Sequence, residues 1–163
     1  MKKVAFITGG AGYIGSETAL TLAKNGVAVA VCDINEEAIQ KTVDKITEEG
    51  GEAKGYVFDV SDSASVDQTV EKIVADFGRL DIMVHGAGGS DRIAGKDVKF
   101  AKLVDREDYV IDTVLKVNLY GAFWASRAAA RVMIKQGEGG KIINFASAVG
   151  FNGLRGACSY AAA

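Results

Sequence analysis

Short apolar runs alternate with amphipathic stretches along the chain. The first run, KVAFIT (3–8), is continuous, as in a strand that is buried on both faces. Strands are predicted over 3–8, 27–32, 53–58, 80–84 and 141–145. Helices are predicted over 12–25, from an Asn35 cap to Gly50, from Asp62 or Ser63 to 77, and from about 105 to 135. This alternation predicts right-handed crossovers and a doubly wound parallel α/β sheet in a single domain, 1–163.

A glycine-rich turn lies between the first predicted strand and the first predicted helix. Its sequence is TGGAGYIG (8–15), in which Gly10, Gly12 and Gly15 fit the pattern G-x-G-x-x-G. The glycines permit a tight turn, a close approach of the backbone to a pyrophosphate, and close packing of the helix on the strand. An isolated match is often only a surface turn. The strand before it and the helix after it favour a dinucleotide site at the helix N-terminus.

Asp33 ends the second predicted strand, 18 residues beyond Gly15. An acidic residue at this place accepts hydrogen bonds from the adenosine ribose hydroxyls, and its charge repels the 2′-phosphate of NADP. No Arg or Lys follows it directly. We therefore expect NAD as the cofactor, with NADP less favoured. The alternative is an ordinary polar residue at a strand end.

Composition and charge argue against several other classes of function. The 163 residues carry a formal net charge of -2 without a block of like charges, so no nucleic-acid or membrane partner is expected. The apolar stretches are too short for a signal peptide or a membrane span. A single histidine leaves little material for a metal centre, and none is expected. Cys32 and Cys158 form no pairing motif, which favours reduced thiols in a cytoplasmic protein.

Six spaced motifs carry a resemblance that covers essentially the whole chain. They are TGGAGYIG (8–15), Asp59-Val60, LDIMVHGAG (80–88), VNLYGAF (117–123), GKIINFASAVG (140–150) and SYAAA (159–163). Together they resemble the motifs of the short-chain dehydrogenase/reductase family, mainly its classical branch. The resemblance implies a Rossmann fold and an oxidoreductase that transfers a hydride between a nicotinamide cofactor and an alcohol or ketone. It also implies a homo-oligomer, a tetramer or dimer, when the protein is full length.

The resemblance also implies roles for individual residues. Tyr160 corresponds to the general acid/base, Ser147 to the residue that hydrogen-bonds the substrate oxygen, and Asn118 to the residue that holds a water in a proton relay. The positions that correspond to cofactor contacts are Gly9, Gly12, Tyr13, Ile14, Gly15, Asp33, Ile34, Asp59, Val60, Gly86, Ala87 and Gly88. The plainer alternatives are a serine after a strand, a surface tyrosine and an asparagine bonded to its own backbone.

Three features depart from the family pattern. The turn is spaced T-G-x-x-G-x-x-G, which is more similar to the extended branch that modifies sugar nucleotides. His85 and Gly86 replace two asparagines, and a structural role for His85 is favoured over a contact with substrate or cofactor. The sequence stops at Ala163, whereas the family's lysine would be residue 164. We therefore expect a piece of a longer polypeptide that is inactive as it stands, with its fifth strand at an open and association-prone sheet edge.

Two alternative functions stay open at this point. One is an epimerase or dehydratase of nucleotide sugars, suggested by the glycine spacing. The other is a non-catalytic NAD-binding sensor or scaffold, which fits the absence of the lysine. The sequence does not identify a substrate. Arg92 and Lys96 could meet an anionic group, although a solvated loop is favoured.

Overall fold

In the part of the chain that the computed structural model describes, residues 2–95, 98 and 101–163, five strands form one sheet. The strands are β1 (Val4–Thr8), β2 (Ala28–Asp33), β3 (Ala53–Val57), β4 (Ile82–His85) and β5 (Lys141–Asn144). They lie side by side in the order β3-β2-β1-β4-β5, and each neighbouring pair is parallel. Since the winding reverses at β1, the predicted doubly wound α/β sheet is confirmed.

Helices connect successive strands and begin at recognisable caps. The α-helices are α1 (Tyr13–Lys24), α2 (Glu36–Glu48), α3 (Ser63–Phe77), α4 (Asp108–Val114), α5 (Gly121–Gln136), α6 (Val149–Asn152) and α7 (Cys158–Ala162). The Asn35 side chain caps α2 by accepting the N–H of Ala38 at 3.1 Å. Asp62 caps α3 by accepting the N–H of Ala64 at 2.9 Å, which decides between the two predicted caps. None of the helices in the described ranges is long and apolar enough to cross a membrane.

Successive side chains of β1 point to opposite faces of the sheet and enter two separate cores. Phe6 belongs to the core that the sheet forms with α3 and α5, and its ring packs edge-to-face on Phe58 with centroids 6.0 Å apart. Ile7 belongs to the core formed with α1 and α2. Because both faces are covered, the strands appear in the sequence as unbroken apolar runs.

The fourth strand begins and ends later than predicted, at Ile82 and His85 rather than at 80 and 84. Leu80 is instead held by a side chain of α5. Its N–H donates to Oε1 of Gln136 at 2.7 Å, and Nε2 of Gln136 donates to its carbonyl at 2.8 Å. This contact joins residues that are far apart in sequence, so a local pattern could not predict it.

The long helix predicted over about 105–135 is confirmed in position but is not a uniform α-helix. Between α4 and α5 the chain forms a π-helical segment, Leu115–Tyr120. Residues 103–105, which precede α4, form a short 3₁₀ turn instead. π-helical turns, such as the one at Leu115–Tyr120, occur frequently at functional sites. The segment contains Asn118, one of the predicted catalytic residues.

Strand β5 lies at the edge of the sheet, as expected from the sequence. It pairs with β4, and all four of its residues are exposed in the described chain. Ile142, Ile143 and Phe145 present apolar side chains there. Association through this edge stays a prediction.

Candidate functional site

The glycine turn lies at the carboxyl end of β1, where backbone contacts exclude side chains at two of its glycines. Gly9 has a φ of +62°, and a Cβ atom there would lie 2.6 Å from the backbone nitrogen of Ala87. A Cβ atom on Gly15 would collide with the carbonyl oxygen of Gly9. The turn therefore requires glycine at both positions.

The start of α1 presents backbone amides next to this turn. Gly12 is exposed and forms the N-cap, and its carbonyl accepts the N–H of Ser16 at 2.8 Å. The N–H groups of residues 13–15 precede this first helical hydrogen bond, so they have no partner within the helix. Such amides, together with the positive end of the helix dipole, are suited to bind phosphate groups. The side chains of Tyr13 and Ile14 are exposed at the same helix start.

Asp33 is fixed beside the turn at the end of β2. Its half-buried carboxylate accepts the N–H of Ala11 at 3.3 Å and the N–H of Ile34 at 2.8 Å. The turn is also tied to this strand, because the N–H of Gly10 donates to the carbonyl of Cys32 at 3.0 Å. The carboxylate and the glycines therefore share one edge of the sheet, as the sequence predicted.

Asp59 and Val60 follow β3 at the same edge. Asp59 is exposed, and its carboxylate accepts the N–H of Ser61 at 2.8 Å. Val60 is buried and packs against Gly121. A Cβ atom on Gly121 would lie 2.9 Å from Cγ2 of Val60. Ile34, which follows β2, exposes its apolar side chain. These residues offer one polar and one apolar surface next to Asp33.

The segment after β4 is bonded closely to the end of β1. The N–H of Gly86 donates to the carbonyl of Thr8 at 3.0 Å, and the N–H of Ala87 donates to the Thr8 hydroxyl oxygen at 3.2 Å. A Cβ atom on Gly86 would lie 3.0 Å from that Thr8 carbonyl. The close approach suits the glycine that stands here in place of the family's asparagine.

His85 is a buried, neutral histidine that belongs to this junction. Its Nδ1 atom lies 2.9 Å from the Thr8 hydroxyl, and the residue is 3% exposed. Burial lowers the pKa of His85 from 6.5 to about 4, and the backbone of Asn118 opposes that change. Nε2 of His85 has no hydrogen-bond partner among the described residues. These contacts support the structural role favoured from the sequence.

We expect the protein to lose up to about 3 kcal/mol of folding free energy through His85 as the pH falls from 6.5 to about 4. The unfolded imidazole takes up a proton near pH 6.5, whereas the buried one resists protonation until about pH 4. Over this window the unfolded state binds more protons, so stability rises with pH. Denaturant unfolding followed by circular dichroism should show this dependence, and His85→Asn should remove it. The same pH dependence in both proteins would contradict the prediction.

Asn118 is committed to the loop that follows β4. Its Nδ2 group donates to the carbonyl of Gly89 at 2.9 Å, and its Oδ1 atom accepts the N–H of Gly89 at 2.9 Å. A Cβ atom on Gly88 would lie 2.5 Å from the same Oδ1 atom. The side chain thus bonds to a different loop, not to its own backbone.

Ser147 and Tyr160 lie on neighbouring segments after β5, and both are partly buried. The Ser147 hydroxyl oxygen accepts the N–H of Val149 at 3.2 Å. Tyr160 lies in α7, which contacts α6, α4 and the π-helical segment. The predicted catalytic residues therefore occupy segments that pack together. In the described ranges no hydrogen bond joins the side chains of Ser147, Tyr160 and Asn118 to one another.

Sequence reasoning missed a buried ion pair in this region. Nη2 of Arg106 lies 2.6 Å from a carboxylate oxygen of Asp91, and the exposed fractions of the two side chains are 2% and 1%. Asp91 precedes the long predicted helix and Arg106 lies at its start, so no local pattern in the sequence pairs them. Arg92 is exposed, and Lys96 lies outside the described residues.

Comparison with known proteins identifies the chain's family. The family model described as short chain dehydrogenase matches residues 3–163. The chain belongs to this family. The resemblance stated from the six motifs is thereby confirmed.

Relatives in the short-chain dehydrogenase family have several different names. The 3beta-hydroxysteroid dehydrogenase 2 of Eggerthella lenta is 34% identical over 160 residues, which are 98% of this chain and 59% of that protein. The 3-oxoacyl-[acyl-carrier-protein] reductase FabG of Thermotoga maritima is 36% identical over 98% of this chain and 61% of its own length. The chain thus spans about three fifths of the length of these relatives.

Solved structures of the family superimpose closely on this fold. NAD+-bound xylitol dehydrogenase has a TM-score of 0.89 and 38% identity, over 98% of this chain and 58% of that one. A variant of actinorhodin polyketide ketoreductase with NADPH has a TM-score of 0.89 and 30% identity, over 99% of this chain and 59% of that one. One of these two neighbours holds NAD+ and the other NADPH, so the likeness alone does not choose between the cofactors.

Proposed function

We propose that the protein containing this chain is a nicotinamide-dependent oxidoreductase that interconverts an alcohol and a carbonyl compound. The observation that supports this most strongly is a juxtaposition at one sheet edge. The glycine turn, the N-terminus of α1 and Asp33 lie at the carboxyl ends of β1 and β2. The segments of Asn118, Ser147 and Tyr160 follow the carboxyl ends of β4 and β5. In open α/β sheets, ligands bind outside this edge, where the strand order reverses.

The residues present fit a dinucleotide. The cradle at Gly9 and Gly15 has no space for a Cβ atom, and Gly12, Tyr13 and Ile14 are exposed, so the N-terminus of α1 lies at the surface, where it could meet a diphosphate. Asp33 would accept hydrogen bonds from the adenosine ribose. Besides Gly12, Gly15 and Asp33, the positions proposed to hold the cofactor are Gly9, Tyr13, Ile14, Ile34, Asp59, Val60, Gly86, Ala87 and Gly88.

We infer that NAD is preferred to NADP. The carboxylate of Asp33 is oriented by three backbone N–H groups, those of Ala11, Ile34 and Asn35, so it cannot turn away without losing these hydrogen bonds. A 2′-phosphate beside it would place like charges in contact, which is unfavourable at a partly buried site. Ile34, Asn35 and Glu36 follow Asp33 and supply no compensating positive charge.

The chain's own residues would then handle the proton and orient the substrate. When bound, the nicotinamide supplies or accepts the hydride. The Tyr160 hydroxyl would give a proton to the carbonyl oxygen, or take one from the alcohol. The Ser147 hydroxyl would donate a hydrogen bond to the same oxygen. Asn118 holds the 88–89 loop and, in this proposal, also positions a water on the proton path.

We also propose a cytoplasmic homo-oligomer, a dimer or tetramer. Cys32 and Cys158 are free thiols, which fits a reducing compartment. The outer side of α5 exposes 66% of Phe123 and 80% of Ile134, and association would remove this apolar area from water. Sedimentation of the full-length protein would test the oligomeric state.

The function is tested on the polypeptide encoded by the complete open reading frame. NADH and NADPH are titrated first, and nicotinamide absorbance is then followed with a panel of secondary alcohols and ketones. NAD-dependent turnover is the expected result. Cofactor binding without turnover would favour the sensor alternative, and turnover of a nucleotide sugar alone would favour the epimerase or dehydratase. Failure to bind either dinucleotide would overturn the proposal.

We expect Asp33→Asn to reduce the discrimination against NADP by about tenfold or more, because hydrogen bonds to charged groups contribute about 1.5–3 kcal/mol. Asparagine keeps one acceptor oxygen, which can still accept the N–H groups of Ile34 and Asn35, but it removes the charge that repels the 2′-phosphate. The ratio of kcat/KM for NAD and NADP measures the effect. Asp44→Asn, at an exposed position of α2, is the matched control. An unchanged ratio in Asp33→Asn would rule out Asp33 as the selective residue.

A further inference from the structure

One guanidinium group joins two segments that lie far apart in sequence. Nη2 of Arg106 donates to the carbonyl of Gly156 at 2.8 Å and to the carbonyl of Ala101 at 3.3 Å. The N–H of Ala101 donates in turn to the carbonyl of Gly156 at 3.2 Å. Asp91 lies against the same nitrogen at 2.6 Å. The segment before α4 and the loop before α7 are therefore tied together at Gly156, and this contact is named here the Arg106 clamp (Asp91, Ala101, Arg106 and Gly156).

Stability alone does not account for the charges in this clamp. Both side chains are almost fully buried, and removing two charges from water is costly. A well-packed apolar pair of similar volume is often as stable as a buried ion pair, or more stable. What a guanidinium adds is direction, because its N–H groups lie in one fixed plane and therefore fix where their acceptors lie. The clamp therefore specifies where the carbonyl of Gly156 lies.

The loop held at Gly156 leads directly into the helix that carries Tyr160. Ala157 is fully buried, and its carbonyl accepts the N–H of Ala161 at 2.9 Å, which forms a turn of α7. A helix of five residues is too short to be stable by itself, so its position depends on tertiary contacts. Ser159 is also buried, and α7 packs against α4, which begins just after Arg106. A shift of Gly156 would consequently move the phenol ring of Tyr160.

We propose that Arg106, braced by Asp91, is a positioning residue that sets the place of the Tyr160 hydroxyl relative to the substrate oxygen. The role rests on the function proposed above, in which Tyr160 transfers the proton. A direct contact of Arg106 with an anionic substrate is disfavoured, because its side chain is 2% exposed and already pairs with Asp91. Arg106 thus acts through the backbone of the loop and not on the reacting atoms.

The decisive variant replaces both charges together, Asp91→Leu with Arg106→Met. It leaves no unpaired buried charge, so the fold should persist, whereas the bond to Gly156 is lost. We expect kcat to fall about 10- to 100-fold in the full-length protein, since a misplacement near 1 Å can cost about 100-fold. NADH affinity should stay unchanged. Arg106→Lys should keep part of the activity, because an ammonium retains the charge but lacks the fixed plane of donors.

A second measurement does not depend on turnover. Amide hydrogen exchange of α7 should become faster in the double variant, while exchange in α1 and α2 stays the same. Arg131→Met, at an exposed site on α5, serves as the matched control and should change neither kcat nor exchange.

Several outcomes would overturn the clamp's role. Wild-type kcat with unchanged exchange in the double variant would do so, as would a lower melting temperature with wild-type kcat per folded molecule. If the double variant does not fold, Arg106→Lys decides, and wild-type kcat there counts against the role. Absence of turnover in the wild-type protein instead contradicts the proposed function, while the exchange measurement still tests the anchoring of α7.

Discussion

Replacing Tyr160 by phenylalanine is expected to lower kcat by a factor of about 10² to 10⁴, the usual contribution of a positioned general acid/base. The change removes only the hydroxyl, so the partly buried ring keeps its packing on the neighbouring segments. Proton transfer to or from the substrate oxygen would then depend on water. NADH affinity should not change, because the cofactor contacts proposed at the glycine turn and Asp33 are on other elements.

Steady-state kinetics and an NADH titration on the full-length protein separate these two quantities. Tyr109→Phe is the matched control, since Tyr109 is an exposed tyrosine on α4. It should retain wild-type kcat. Comparable kcat values for Tyr160→Phe and Tyr109→Phe would remove Tyr160 from the proposed chemistry.

Replacing Gly15 by alanine is expected to abolish measurable NADH binding and to destabilise the fold by about 1–3 kcal/mol, the usual cost of overpacking. The new methyl group would press on the carbonyl of Gly9, which itself has a φ of +62° and lies where a Cβ atom would collide with the backbone of Ala87. The turn can relieve the collision only by moving, and a moved turn no longer aims the amides of α1 at the diphosphate.

Gly12→Ala separates binding from folding. A Cβ atom there would meet only the carbonyl of Gly9, at 3.2 Å, and the φ of -75° suits any residue. We therefore expect nearly wild-type thermal stability but weaker NADH binding, measured by calorimetric titration. Thr21→Ala, at an exposed position of α1, controls for changes in the helix itself. Wild-type NADH affinity in Gly15→Ala would contradict the placement of the cofactor.

Much of the fold could be predicted because its determinants are local. The run 3–8 predicts β1 through its unbroken apolar character, and Asn35 predicts the start of α2 through its own side chain. The exceptions involve partners distant in sequence. Leu80 is held by Gln136 of α5 and lies outside β4, and the π-helical segment around Asn118 has no pattern that marks it.

The residues of the candidate site were likewise predictable only in part. The glycine turn and Asp33 followed from residue chemistry at known spacing, whereas Ser147, Tyr160 and Asn118 entered through the family resemblance. The bonds of Asn118 to Gly89 and of Arg106 to Gly156 could not be predicted, since each depends on how two separate loops meet in the folded chain.

The paired bonds between Asn118 and Gly89 couple a loop mechanically to a long helix. The loop leads outward to the 91–106 segment, and the helix continues through α5 to its exposed outer side. If a substrate displaces the loop, either the helix moves with it or both hydrogen bonds between Asn118 and Gly89 open together. At about 1 kcal/mol for each bond, the separation would require about 2 kcal/mol. Thermal motion can supply that energy, so this contact between loop and helix can open and close reversibly.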